Sequence, residues 1–118
     1  MTDYSFYTES YLTGREAVID AASFPHVERT ASNIVRGLTY GNIDETNAIP
    51  EPVQMCVCEV AEALHRYDKL SERGVTSEKV GDYSVTYEVQ TKTQLTKDIV
   101  SIVRNWLQNT GLLFSGVI

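Results

Sequence analysis

The chain is poor in the residues that usually carry chemistry. Of its 118 residues only two are cysteine and two are histidine. Cys56 and Cys58 lie two apart in a helical pattern, which sets their side chains roughly 200° apart around the axis. Such a pair cannot share one metal, and no second pair supplies further ligands. Buried free thiols are the expectation, as suits a reducing compartment. No apolar run reaches the length needed to span a bilayer. The opening Met-Thr-Asp-Tyr-Ser-Phe lacks the basic and apolar regions of a signal peptide, and the expectation is a protein made and used in a cytoplasm. Basic charge is also scarce: ten Lys and Arg stand against sixteen Asp and Glu, net −6. An acidic surface argues against independent binding of DNA or RNA.

What the chain does have is a composition able to bury one core. Hydrophobic residues make up 42% and charged residues 22%, ordinary values for a globular protein, so residues 1–118 are read as a single domain. The charge is uneven. Residues 1–88 hold fifteen acids against seven Lys and Arg; residues 89–118 hold one against three.

Residues 1–12 form an N-terminal arm rich in tyrosine, expected to cover the edge of the core or to dock on a neighbour. Thr13-Gly14-Arg15-Glu16 has capping-box spacing and predicts a short helix to Ala22, with Ala17, Val18 and Ala21 inward. Pro25 sits in the first turn of a second helix, whose Val27, Ala31, Ile34, Val35 and Leu38 recur at helical spacing. Residues 42–52 read as a loop. Pro52 opens the longest helix, to Arg73, with Val53, Val57, Val60, Leu64 and Tyr67 inside and Glu59, Glu62, Arg66, Lys69 and Arg73 outside. Thr91-Lys92-Thr93-Gln94 is a second capping box. Leu95, Ile99, Ile102, Val103, Trp106 and Leu107 follow as an inner face, closed by Gly111.

Between those helices, residues 78–90 alternate. Tyr83, Val85, Tyr87 and Val89 interleave with Asp82, Ser84, Thr86 and Glu88, which predicts one β-strand or hairpin with one buried face. The last segment, 112–118, is almost wholly apolar, unusual where chains commonly end in polar residues, and reads equally as a last strand or cover piece on its own domain or as an arm inserted into another subunit. The expected fold is therefore mainly α: a bundle of three to four helices, one strand or hairpin at about 78–90, and an apolar C-terminal tail.

No catalytic constellation emerges. Glu62 and His65 have the i, i+3 spacing found in di-iron bundles, but the predicted inner faces supply no further carboxylates. Gly81-Asp82-Tyr83 is not a phosphate loop, having one glycine and leading into the predicted strand. The reading is a protein that is not an enzyme and needs no cofactor or metal. A small dimeric regulatory or DNA-associated helical protein is the alternative function.

Several stretches together resemble the head–tail connector (adaptor or head-completion) proteins of tailed bacteriophages and prophages. They are Tyr11-Leu12-Thr13-Gly14 before Phe24-Pro25, Ala31-Ser32-Asn33-Ile34 with the turn from Thr39 to Thr46, and Val57-Cys58-Glu59-Val60-Ala61-Glu62. The sharpest is Ser77-Glu78-Lys79-Val80-Gly81-Asp82-Tyr83-Ser84-Val85-Thr86-Tyr87. Gly111-Leu112-Leu113-Phe114-Ser115-Gly116-Val117 closes the series. This chain has Phe114-Ser115 where such proteins often carry a basic residue.

The resemblance implies a structural protein of the virion, assembled in the host cytoplasm. It would form a ring under the portal, typically matching the portal's twelvefold symmetry. The ring would extend the DNA channel and dock the next head-completion or tail protein. Partners would be further copies of itself, the portal, that downstream protein and DNA passing without sequence-specific binding, with no membrane. The residues expected at interfaces are Val80, Tyr83, Val85, Tyr87 and Val89 of the strand and Leu112, Leu113, Phe114, Val117 and Ile118 of the tail. A ring joins two different patches on neighbouring copies, and an unpaired strand and an apolar tail would provide such a pair.

Overall fold

The computed structural model describes the backbone of residues 1–77 and 81–113 and the side chains of residues 1–69 and 93–113. The protein is mainly helical. A single turn of α-helix, α1 (Tyr4–Phe6), runs into a π-helical segment, Tyr7–Tyr11. Three longer helices follow: α2 (Phe24–Leu38), α3 (Glu51–Ser77) and α4 (Gly81–Leu107).

α2 starts where its sequence places the start. The Asp20 carboxylate accepts the Ser23 amide at 3.1 Å, and Pro25 sits in the first turn, where no helical partner for its nitrogen is required. Phe24, Val27, Ala31 and Val35 are buried along one face, with Ser32 beside them. The helix ends as Tyr40 and Gly41 take left-handed backbone angles and the Gly41 amide returns to the Arg36 carbonyl at 3.2 Å. Arg36 then grips Glu45 with two nitrogens, at 2.7 and 2.9 Å, and holds the following loop against α2.

α3 is the central helix. Val53, Cys56, Val57 and Val60 recur at helical spacing on one face, and Cys58, Ala61 and Glu62 are buried as well. So broad a buried arc needs neighbours on more than one side: α2, α4 and the π-helical segment all pack on α3. Both cysteines are accordingly buried and free, as expected. α4 contributes Ile99, Val103 and Leu107 to the same core, with Leu95, Ile102 and Trp106 at its edge. Three residues apart in sequence and packed side by side, α3 and α4 run antiparallel.

Three expectations are corrected. The backbone over Gly81–Leu107 is one helix, so the strand or hairpin predicted for 78–90 is not found from Gly81 onward, and Glu78, Lys79 and Val80 lie outside the described residues. A lone strand leaves its amides and carbonyls seeking a ladder, and no strand exists among the described residues to offer one. Extending the helix already set at Thr91–Leu107 satisfies those groups without a second nucleation.

The helix predicted for 13–22 is also absent; the chain turns and bends there. Thr13 has φ +45° and Gly14 φ +94°, left-handed values that a helix does not contain. The Thr13 hydroxyl donates to the Leu12 carbonyl at 2.7 Å instead of capping a following amide. Ile19 is the residue of this stretch that enters the core, while Ala17, Val18 and Ala21 stay exposed. The third correction concerns Glu62, placed on the outer face by sequence and found only 4% exposed.

Candidate functional site

The buried polar centre of the described fold lies between the N-terminal arm and α3. Its geometry begins with the π-helical turn, in which the Leu12 amide reaches the Tyr7 carbonyl at 2.9 Å, five residues back. Tyr7 and Tyr11 stack along this turn, ring centres 5.8 Å apart and planes 15° from parallel. Their hydroxyls therefore point the same way and meet one carboxylate. Tyr7 donates to Glu62 Oε2 at 2.8 Å and Tyr11 to Glu62 Oε1 at 3.2 Å. Arg66, one turn along α3, adds an ion pair at 3.5 Å.

The Tyr7 hydroxyl also accepts the amides of Val18 (3.0 Å) and Ile19 (3.2 Å). One phenol thus joins three parts of the chain: the arm, the bend after it, and the central helix. Burial and the Glu62 hydrogen bond raise the Tyr7 pKa; burial and the Glu62 charge raise that of Tyr11. Both phenols stay protonated and act as donors. The cluster works as a fastener: it brings Glu62 to Tyr7 and Tyr11.

Two more polar ties flank it. Trp106 Nε1 donates to Glu59 Oε1 at 2.7 Å, pinning α4 to α3. The α-ammonium of Met1 meets Glu28 Oε2 at 2.6 Å, while the Ser32 hydroxyl and Thr2 amide donate to the same oxygen. Every buried side-chain nitrogen and oxygen among the described residues has a partner. Among those residues no group of three or more His, Cys, Asp or Glu could hold a metal, and no helix is long and apolar enough to cross a membrane.

Of the residues predicted at interfaces, two are described in full. Leu112 and Leu113 are half-buried and pack on the core. The Leu112 carbonyl accepts Asn42 Nδ2 at 3.0 Å, and its amide donates to the Thr110 hydroxyl at 3.1 Å. Gly111, at φ +80°, makes the turn that delivers them there. Tyr83, Val85, Tyr87 and Val89 belong to the helical backbone of α4, their side chains outside the described residues. Val80, Phe114, Val117 and Ile118 lie wholly outside them.

Sequence reasoning missed Tyr7, Tyr11 and Glu62 as a unit. The only trace was the i, i+4 spacing of the two tyrosines, which a terminal arm gave no reason to read as helical. Comparison with protein-family models, with curated proteins and with solved structures finds no match to this chain.

Proposed function

We propose that this protein is a structural head–tail connector of a tailed phage or prophage, acting in the virion at the head–tail junction. It forms a ring under the portal, extends the DNA channel and docks the next head-completion or tail protein. It catalyses no reaction and takes no cofactor. The segment 80–89, with Val80, Tyr83, Val85, Tyr87 and Val89, and the tail, with Leu112, Leu113, Phe114, Val117 and Ile118, are the surfaces we assign to contacts with neighbouring copies, portal and tail proteins.

Support comes from the sequence resemblance and from the mainly helical fold it calls for. The observation that carries the reading furthest is the anchored root of the tail. Leu112 and Leu113 lie on the core, with Leu112 tied to Asn42. The apolar residues after Leu113 thus start from a fixed point, and an arm that starts from a fixed point loses less freedom when it docks. The acidic balance of the chain suits a lumen through which phosphates must pass without sticking.

The anchored root also sets where to cut. A chain ending at Leu113 keeps every tail contact described above. We expect it to remain a folded, helical protein by circular dichroism, and to lose association with a portal ring in light scattering after size exclusion. Undiminished association would remove the tail from the interface. A dimer at every concentration that binds DNA in a salt-dependent way would replace this reading by the regulatory one.

A further inference from the structure

The N-terminal arm is seated unlike the rest of the core. Tyr7 and Leu12 are buried and Met1, Tyr4, Phe6 and Tyr11 pack beside them, and the arm is tied in addition by hydrogen bonds to two carboxylates, Glu62 and Glu28. Lifting an arm from an apolar seat exposes only apolar surface. Lifting it from this seat also breaks these hydrogen bonds, which only an identical seat can remake.

The connection has the matching character. Residues 13–17 are all exposed, and the turn they make carries a β-branched residue, Thr13, in the left-handed region. The turn is clipped by Arg15, whose Nε donates to the Leu12 carbonyl at 3.0 Å and Nη2 to the Tyr11 carbonyl at 2.7 Å. Val18 and Ile19, which bind the Tyr7 hydroxyl, lie beyond this turn and remain with the body. Five residues opened to an extended path span at most about 18 Å. That is the reach with which an opened arm can leave its own body for another copy.

We propose that the seat formed by Val18, Ile19, Glu28, Glu62 and the adjoining face of α3 accepts residues 1–12 of a second copy, by opening of the turn at residues 13–17. The incoming arm remakes the hydrogen bonds to Val18, Ile19, Glu28 and Glu62, while opening gives up the Arg15 clip and relieves the strain at Thr13. This is a surface for self-association apart from the tail and from segment 80–89, and it stands or falls without the connector reading.

The native cysteine under the arm makes the test direct. The Thr2 hydroxyl donates to Gln54 Oε1 at 3.3 Å, one turn of α3 before Cys58, which sets position 2 beside that cysteine. In Thr2→Cys alone, oxidation of dilute protein should close a disulfide within one chain. Should the thiol at position 2 fail to do so, Gln54→Cys, at the residue whose Oε1 accepts the Thr2 hydroxyl at 3.3 Å, takes the place of Cys58 as its partner in the same scheme.

A tagged chain carrying the arm cysteine together with Cys58→Ser is then mixed with untagged wild type, concentrated, and oxidised. Its arm cysteine can meet Cys58 only on the other chain. Exchange is expected to give a tagged–untagged species of twice the 13.2 kDa chain mass that is lost when the wild-type partner also carries Cys58→Ser. If the bond within one chain forms readily and no mixed species appears at the highest attainable concentration, the arm serves its own body alone and the proposal is overturned.

Discussion

The Tyr7 hydroxyl donates to the Glu62 carboxylate at 2.8 Å across 55 residues of chain, and both side chains are buried. This bond decides how the N-terminal arm enters the fold. It also accounts for the burial of Glu62, since Tyr7, Tyr11 and Arg66 together occupy both carboxylate oxygens.

Removing the Tyr7 hydroxyl leaves a buried carboxylate oxygen and the amides of Val18 and Ile19 short of a partner. Tyr7→Phe should therefore cost about 1–3 kcal/mol in urea denaturation, the range for stranded buried groups. Tyr11→Phe, at a longer bond nearer the surface, should cost about 0.5–1.5 kcal/mol. A larger loss for Tyr11→Phe would show that Tyr7 is not the main tie.

Burial opposes ionisation of Glu28, but hydrogen bonds from the Met1 ammonium, the Ser32 hydroxyl and the Thr2 amide outweigh it and hold its pKa below the usual 4.5. A carboxyl depressed in the folded state adds stability that is full above 4.5 and is lost as pH falls through the lower folded value. Acid titration of the melting temperature should be shallower for Glu28→Gln than for wild type below pH 4.5. Superimposable curves would remove the ion pair from the account.

Burial, with the nearby charge of Glu59, pushes the Cys56 thiol up to about 12; burial likewise lifts Cys58 to about 12. Thiols raised in the folded state stabilise fully below the unfolded value of 9.0, and that contribution fades as pH climbs from there towards 12. Stability of the reduced protein should fall over this window, and less steeply in Cys56→Ala. In native protein at pH 8, a thiol reagent should label both cysteines only as fast as the protein opens. Immediate labelling would contradict their burial.

Two glycines should respond to alanine with opposite signs. A Cβ at Gly14 or Gly37 meets no atom within 4 Å, so packing is not at stake in either. Gly14 has φ +94°, where alanine is strained, and Gly14→Ala should cost about 1–2 kcal/mol. Gly37 lies within α2, and Gly37→Ala should gain up to about 1 kcal/mol through helix propensity. Equal effects in chemical denaturation would mean the turn at Thr13–Gly14 is not formed in solution.

The helical faces were legible because each rests on a local repeat. The stripes 27, 31, 35 and 53, 57, 60 and 99, 103, 107 recur at the period of the helix, and all nine side chains are buried. Signals of the same local kind misled elsewhere. The alternation at 83–89 has the period of a strand, yet a strand also needs a partner, and the helical backbone there needs none. The capping box at Thr13 has the right residues, but Tyr7 takes the amides of Val18 and Ile19 and the chain bends between.

By itself, then, the sequence determined three amphipathic helices, two buried free cysteines and an acidic, mainly helical protein, because periodicity and composition act within a few residues. Only the tertiary structure decided that the tyrosine arm is fastened through Tyr7 and Tyr11 to Glu62, that Glu62 faces inward, and that the segment from Gly81 continues a helix. Each of those depends on which distant group supplies a hydrogen bond or excludes water, and no local pattern contains that information.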